Sequence, residues 1–117
     1  MLHKMRLCKE PYEMIKNRTK TIEIRLNDEK RQALSVGDII EFTEINNADS
    51  KLLVTVTALY KYPDFFELYK HFDKISLGYT ENEIADANDM YSYYSKENIK
   101  KFGALAIEVK LISKAVE

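Results

Sequence analysis

Two stretches of alternating apolar residues stand towards opposite ends of this 117-residue chain, and the different pattern between them restricts the fold more than any other feature. In TIEIRL (Thr21 to Leu26), Ile22, Ile24 and Leu26 fall on one side of a strand and Thr21, Glu23 and Arg25 on the other. In ALAIEVKLI, Leu105, Ile107, Val109 and Leu111 alternate with Ala106, Glu108 and Lys110, which predicts a half-buried strand. HKMRL near the start reads as a first strand, and KLLVTVTALYKY as a long β-branched one. VGDIIEF places a turn at Val36-Gly37-Asp38 before a further strand, and EINNADSK reads as a hairpin-type loop. Between Pro63 and residue 103 the period changes. Phe65, Leu68, Tyr69 and Phe72 recur at helical spacing. TENE (Thr80 to Glu83) matches a capping box and predicts a helix start there. Ser95 is placed to cap KENIKKF, with Gly103 as its left-handed end. Near the N-terminus, EPYEMIKN predicts a short helix with Pro11 at its first position and Asn17 as its left-handed end. Strands at both ends with short helices inserted between them predict an α+β fold, and the absence of regular β-α-β alternation disfavours a doubly wound parallel sheet. The first and last strands are expected to pair and close a small barrel.

Length suits one domain over residues 1–117, with a single core. Hydrophobic residues at 45% and charged residues at 32% describe a soluble globule. No apolar run approaches the ~18–20 residues that span a bilayer, so no membrane association is expected. The first thirteen residues lack the continuous apolar stretch of a signal peptide, and the single cysteine fits a reducing compartment. A cytoplasmic location follows as the expectation. The net charge of −1 argues against a strongly basic nucleic-acid coat. The charge is uneven, however: residues 1–31 hold nine Lys/Arg against five Asp/Glu, and the rest hold nine against fourteen. Such a third of the chain is able to supply a local site for an anionic ligand.

Motifs for metal and cofactor chemistry are lacking. His3 and His71 are far apart, Cys8 has no partner, and neither Walker nor Rossmann glycines occur. No metal and no cofactor are expected, and Cys8 reads as a small buried hydrophobe rather than a nucleophile. DMYSYYS offers either a platform for stacking bases or helical core packing in which Met90, Tyr93 and Tyr94 share a face and Tyr91 sits apart. Lys20, Thr21, Glu23 and Arg25 are the remaining candidates. A Glu–Arg pair two apart on a strand reads either as a solvated ion pair or as the lining of a cleft.

Arg18-Thr-Lys20-Thr-Ile-Glu23-Ile-Arg25 resembles the signature G-x-K-x-x-E-x-R of the ASCH family, small PUA-like β-barrel domains. VGDII, the long strand after it, GYTENE, YYSKE and FGALAIEV extend the likeness over nearly the whole chain. Arg18 stands where the signature has glycine. The resemblance implies a small PUA-like barrel with short helices between strands. It also implies a cleft lined by Lys20, Thr21, Glu23 and Arg25 whose partner is RNA or a nucleotide or nucleoside ligand. In such a cleft Arg25 offers a fork for phosphate or a base edge, and Glu23 an acceptor for an exocyclic amine. Some small members are amidohydrolases acting on acetylcytidine, and their motif lysine corresponds to Lys20. On that alternative Lys20, Glu23 and Thr21 are the catalytic candidates, although those enzymes carry threonine at the position of Glu23. They also use a later glutamate, for which Glu81 and Glu83 are the nearest residues. A third reading is a protein-interaction module built on DMYSYYS.

Overall fold

The computed structural model describes residues 1–114. Five strands form one sheet in the order β1-β3-β4-β5-β2. They are β1 (Leu2–Leu7), β2 (Ile22–Leu26), β3 (Ile39–Glu44), β4 (Asn47–Tyr62) and β5 (Ala104–Lys114). β1 runs parallel to β3, and the other neighbours are antiparallel. The short helices are α1 (Lys9–Lys16), α2 (Glu29–Gln32), α3 (Phe65–Tyr69), α4 (Lys74–Leu77) and α5 (Lys96–Phe102), with a 3₁₀ helix at Ala87–Ser92. The fold is α+β, with a curled, PUA-like half-barrel sheet. The curl is measurable: β1 and β2 are at opposite ends of the strand order, yet Arg25 Nη2 on β2 donates to the Arg6 carbonyl on β1 at 2.9 Å. The expected pairing of first and last strands does not occur. β5 lies between β4 and β2, so a side chain rather than a backbone ladder spans the remaining gap.

Each face of the sheet buries its own apolar cluster. On one face, Met5, Leu7, Ile40, Phe42, Val54, Val56, Leu105 and Ile107 pack with Tyr12 and Ile15 of α1. On the other, Ile22, Leu26, Ala104 and Ala106 are covered by Phe65, Leu68, Leu77, Met90 and Ile99 of the helical insert. The early part of β5 is therefore buried on both faces rather than half-buried, and Ala104 and Ala106 are small enough to let the insert approach. Gly103 ends α5 at φ 77 with ψ −174, a positive φ that favours glycine, although its ψ lies outside the left-handed helical region. A Cβ there would lie 2.8 Å from the Tyr62 carbonyl, so the chain crosses the end of β4 too closely for any other residue.

Several local expectations shift by a few residues. Pro11 is the third residue of α1, still in the first turn, where a missing N–H costs nothing. The hairpin between β3 and β4 is a tight turn at Ile45-Asn46, so Asn47 to Ser50 belong to the strand. The polar NDEKRQALS segment contains α2, capped by Asp28, whose side chain accepts from the Arg31 amide. The helix expected at Thr80 does not form: the Thr80 amide does donate to Glu83 Oε1 at 2.7 Å, but this closes only a turn. α4 forms upstream instead, between its cap Asp73 and left-handed Gly78. Of DMYSYYS, Asp89 to Ser92 lie in the 3₁₀ helix rather than an α-helix, and Tyr93 to Ser95 follow it as the link to α5. α3 stops at Tyr69, and Phe72 reaches the core from beyond it. Cys8 is exposed, as the extended residue that precedes α1.

The end of α1 departs most informatively. Asn17 stays right-handed at φ −85, and Arg18 takes φ 66, alone among the described non-glycine residues in having positive φ. The Thr19 amide donates to Met14 O at 3.0 Å and the Arg18 amide to Ile15 O at 3.0 Å, the paired bonds that terminate a helix around a left-handed residue. Arg18 thus occupies the conformation that glycine adopts without strain. Relief of about 1–2 kcal/mol of left-handed strain exceeds the roughly 0.5–1 kcal/mol of extra chain entropy that glycine carries. Arg18→Gly is expected to raise stability by about 0.5–1 kcal/mol, measured as a higher urea midpoint at unchanged m-value. A lower midpoint would show that the arginine side chain stabilises this turn.

Candidate functional site

The turn after Arg18 delivers Lys20 beneath the helical insert, where its side chain is buried. Its Nζ donates to the carbonyls of Leu77 at 2.7 Å and Ile22 at 2.8 Å, and lies 3.4 Å from Glu23 Oε1. Leu77 is the last residue of α4, so the ammonium satisfies a terminal carbonyl at the negative end of that helix. Gly78 follows with φ 103, and a Cβ there would approach Lys20 Cδ to 3.0 Å and Nζ to 3.2 Å.

Pair register explains the unusual burial of Glu23. Glu23 lies opposite Ile107 and Arg25 opposite Leu105, so both project onto the same sheet face as the α1-side core. Ile22 and Leu26 face the helical insert instead, with Ile24 packed against the same cluster. The apolar side of β2 is consequently roofed by helices, and the polar side points inside the curl, the reverse of an apolar barrel lining with a polar outer face. Glu23 Oε2 accepts from Arg25 Nε at 2.8 Å and Nη2 at 2.7 Å. Burial alone would raise the pKa of Glu23, but Arg25 and then Lys20 hold it below the ordinary carboxylate value. Burial lowers the pKa of Lys20 against the opposing pull of Glu23. For Arg25, burial works against the charge, yet Glu23 keeps the pKa above its usual value. Lys20 and Glu23, both buried, and the partly buried Arg25 therefore form one unit with two cations and one anion.

Thr21 is not brought into this group. Its amide donates to Ser76 O at 3.1 Å and its carbonyl accepts from the Val109 amide at 2.9 Å, which fixes the start of β2 between insert and sheet. It does not line the cavity described next.

The triad forms one side of a cavity of about 610 Å³. Arg6, Cys8 and Pro11 border it from β1 and the start of α1, and Tyr69, Tyr79, Glu83, Asp89, Tyr93 and Tyr94 from the insert. Tyr79 donates to Asp89 Oδ2 at 2.8 Å, and its oxygen lies 2.9 Å from the Tyr69 hydroxyl. Burial, followed by these partners, pushes the Tyr79 phenol far above its normal range. Tyr94 stacks on Phe65 at 5.9 Å, whereas Tyr93 is 69% exposed and leaves a ring face at the rim. Tyr91 lies apart, near Phe66 and Lys96. Of the two later glutamates, Glu83 reaches the cavity and Glu81 does not. Among the described residues, no cluster of His, Cys, Asp and Glu is arranged to hold a metal ion, and no helix is long and apolar enough to cross a membrane.

A family model described as the ASCH domain matches residues 5–113. The chain belongs to the ASCH domain family. Among solved structures, the hypothetical protein PH0355 is 31% identical with a TM-score of 0.80, and the match covers 96% of this chain and all of that one. Protein PF0455 from Pyrococcus furiosus is 32% identical with a TM-score of 0.68, covering 97% of this chain and 99% of the other. ZmASCH from Zymomonas mobilis is 15% identical with a TM-score of 0.67, over 97% of this chain and 72% of that one, a likeness of fold alone. No relative is found among curated proteins.

Sequence reasoning missed Asp89, Tyr79, Tyr69 and Arg6 as lining residues. Each is separated from Lys20 by 14 to 69 positions, and no periodicity links them. Only the chain's curl brings them together.

Removing the shared anion tests the triad. Glu23→Gln leaves two largely buried cations without a counter-charge, an expected loss of about 3–5 kcal/mol at neutral pH by urea unfolding. Because the native Glu23 pKa is depressed, its stabilisation is fully present above the unfolded value of about 4.3 and disappears as pH falls through the lower folded value. The variant is therefore expected to have a flatter acid limb than the parent. A parallel limb would show that Glu23 is not held ionised by its neighbours.

Proposed function

We propose that this ASCH domain binds RNA or a nucleotide through the cleft, with Lys20, Glu23 and Arg25 as the polar wall and Tyr93 as a stacking surface. The observation that carries this reading is the largely buried triad of two cations and one anion beside a nucleotide-sized cavity with an aromatic rim. Low dielectric surroundings strengthen each of its polar contacts. Nη1 of Arg25 has no partner among the described residues and is available to a phosphate oxygen or base edge, while Nε and Nη2 are held by Glu23 and Arg6. Glu23 remains an acceptor for an exocyclic amine. Thr21 contributes by positioning the strand rather than by contact.

Amide hydrolysis is the second reading, favoured by the burial that depresses Lys20. A neutral Lys20 amine would take a proton from water, the hydroxide would attack the acyl carbon, and Arg25 would stabilise the oxyanion. The lysinium would then return its proton to the leaving nitrogen as the C–N bond breaks. Against it, the three groups around Nζ are two carbonyls and a carboxylate. All are acceptors, an arrangement suited to an ammonium with three hydrogens rather than to a free lone pair. Binding is accordingly the primary reading.

Because Tyr93 is so exposed, Tyr93→Ala is expected to leave stability unchanged. Lost stacking of about 1–3 kcal/mol would weaken cytidine monophosphate binding roughly 5- to 150-fold in isothermal titration. Unchanged affinity in both Tyr93→Ala and Arg25→Lys would remove the ligand from this cleft. Incubation with acetylcytidine, followed by chromatography, separates the two readings: a pure binder releases no cytidine, and turnover lost in Lys20→Met would identify an enzyme.

A further inference from the structure

β1 has one edge paired with β3 and one edge open, and its outward positions carry charge. Lys4 and Arg6 alternate with buried Met5 and Leu7, so both basic side chains stand on the outer face, about 6–7 Å apart along the strand. Both are exposed, and neither has a carboxylate partner within ion-pair distance among the described residues. At the open edge, the Lys4 carbonyl accepts from Lys30 Nζ at 3.2 Å, and the Arg6 carbonyl from Arg25 Nη2 at 2.9 Å. A third exposed cation, Lys30, is thereby anchored beside Lys4 at one end of the row. At the other end, Arg6 borders the cavity and its backbone is bonded to the triad itself. Glu41 is the acid that faces this row, opposite Lys4 in register, and it lies 3.9 Å from Lys51 on β4. The row keeps its positive excess although the whole chain is slightly acidic.

We infer that Lys30, Lys4 and Arg6 form a track for the phosphates of single-stranded RNA, which leads one nucleotide over the Arg6 rim into the cleft. The inference rests on the cleft being a nucleotide site and adds where the rest of the strand lies. Single-stranded RNA fits because only an unstacked nucleotide enters a cavity of this size, and because a row of fixed cations along an exposed strand follows a backbone without reading bases. Arg6 is the hinge of the arrangement: it borders the cavity, and its carbonyl accepts from Arg25.

The test compares octacytidylate with cytidine, which carries no phosphate, on the parent and on the double variant Lys4→Gln, Lys30→Gln, which keeps the cavity-lining Arg6 in place. Circular dichroism first establishes that the variant is folded, as expected for exposed positions. Fluorescence anisotropy is then read across a salt series. With about two phosphates no longer neutralised, the slope of log K against log salt should flatten by roughly 1.4, and low-salt affinity for the octamer should fall at least tenfold. Cytidine affinity should not change. An octamer slope and affinity equal to the parent's would overturn the track and leave the cleft standing if cytidine still binds. Parent protein that binds octacytidylate no tighter than cytidine would also overturn it. Salt-dependent octamer binding that disappears in the variant, with no cytidine binding to either protein, would support the track while refuting the cleft. Equal affinity for an RNA duplex would overturn the single-strand assignment.

Discussion

The carboxylate of Glu23 is placed where a hydrophobic side chain would otherwise belong, opposite Ile107 on the face that α1 covers. An isolated charge there would be costly enough to force neutralisation or unfolding. Two cations make it tolerable, and each arrives from a different tie. Lys20 comes from the turn that Arg18 closes and is also bonded to the end of α4. Arg25 comes from the same strand and is also bonded to β1. Glu23 therefore couples the α1 turn, the helical insert and the two free edges of the sheet. Loosening any one of them would expose the others to rearrangement.

That coupling gives the cleft its chemistry. The cations that stabilise the fold have most of their donors committed, which fixes their positions before any ligand arrives. Preorganised donors lose little freedom on binding, so the remaining free donor of Arg25 is worth more than its number suggests. The opposite wall is phenolic and acidic, with Tyr79 and Asp89 locked to one another. A ligand between the walls meets a positive side and an acceptor side, an asymmetry that orients it. Arg6 and Tyr93 mark two points of the rim where the enclosed site passes into open surface.

The sequence carried the class of fold and the position of most strands, because alternation survives wherever one face is buried. It also carried the motif that places Lys20, Glu23 and Arg25 near each other. Alternation could not reveal which side of β2 faces inward. Ile22 and Leu26 look like core residues, and they are, but for the cluster under the helices rather than for the curl. Helix starts were overread where local chemistry was satisfied without a helix, as at Thr80 and Glu83. Ends were misplaced where an unfavoured residue takes a glycine conformation, as Arg18 does beside a more permissive Asn17. Cys8 was misjudged because burial statistics do not know that a residue precedes a helix at the lip of a cavity. The far wall of the cleft depends on contacts over long stretches of chain, and no local pattern encodes those.

Whether the triad meets a ligand is decided most directly by a nitrogen-detected NMR titration of the protein with cytidine monophosphate, following the side-chain signals of Lys20 Nζ and Arg25 Nε. Lys20 is buried and Arg25 partly so, and both groups are hydrogen-bonded, so their protons should exchange slowly enough to observe. A triad that lines the binding site predicts that these two signals shift together with saturation, alongside the ring resonances of Tyr93. Shifts confined to exposed surface residues, with Lys20 and Arg25 unmoved at saturation, would show that the triad holds the fold together and takes no part in binding.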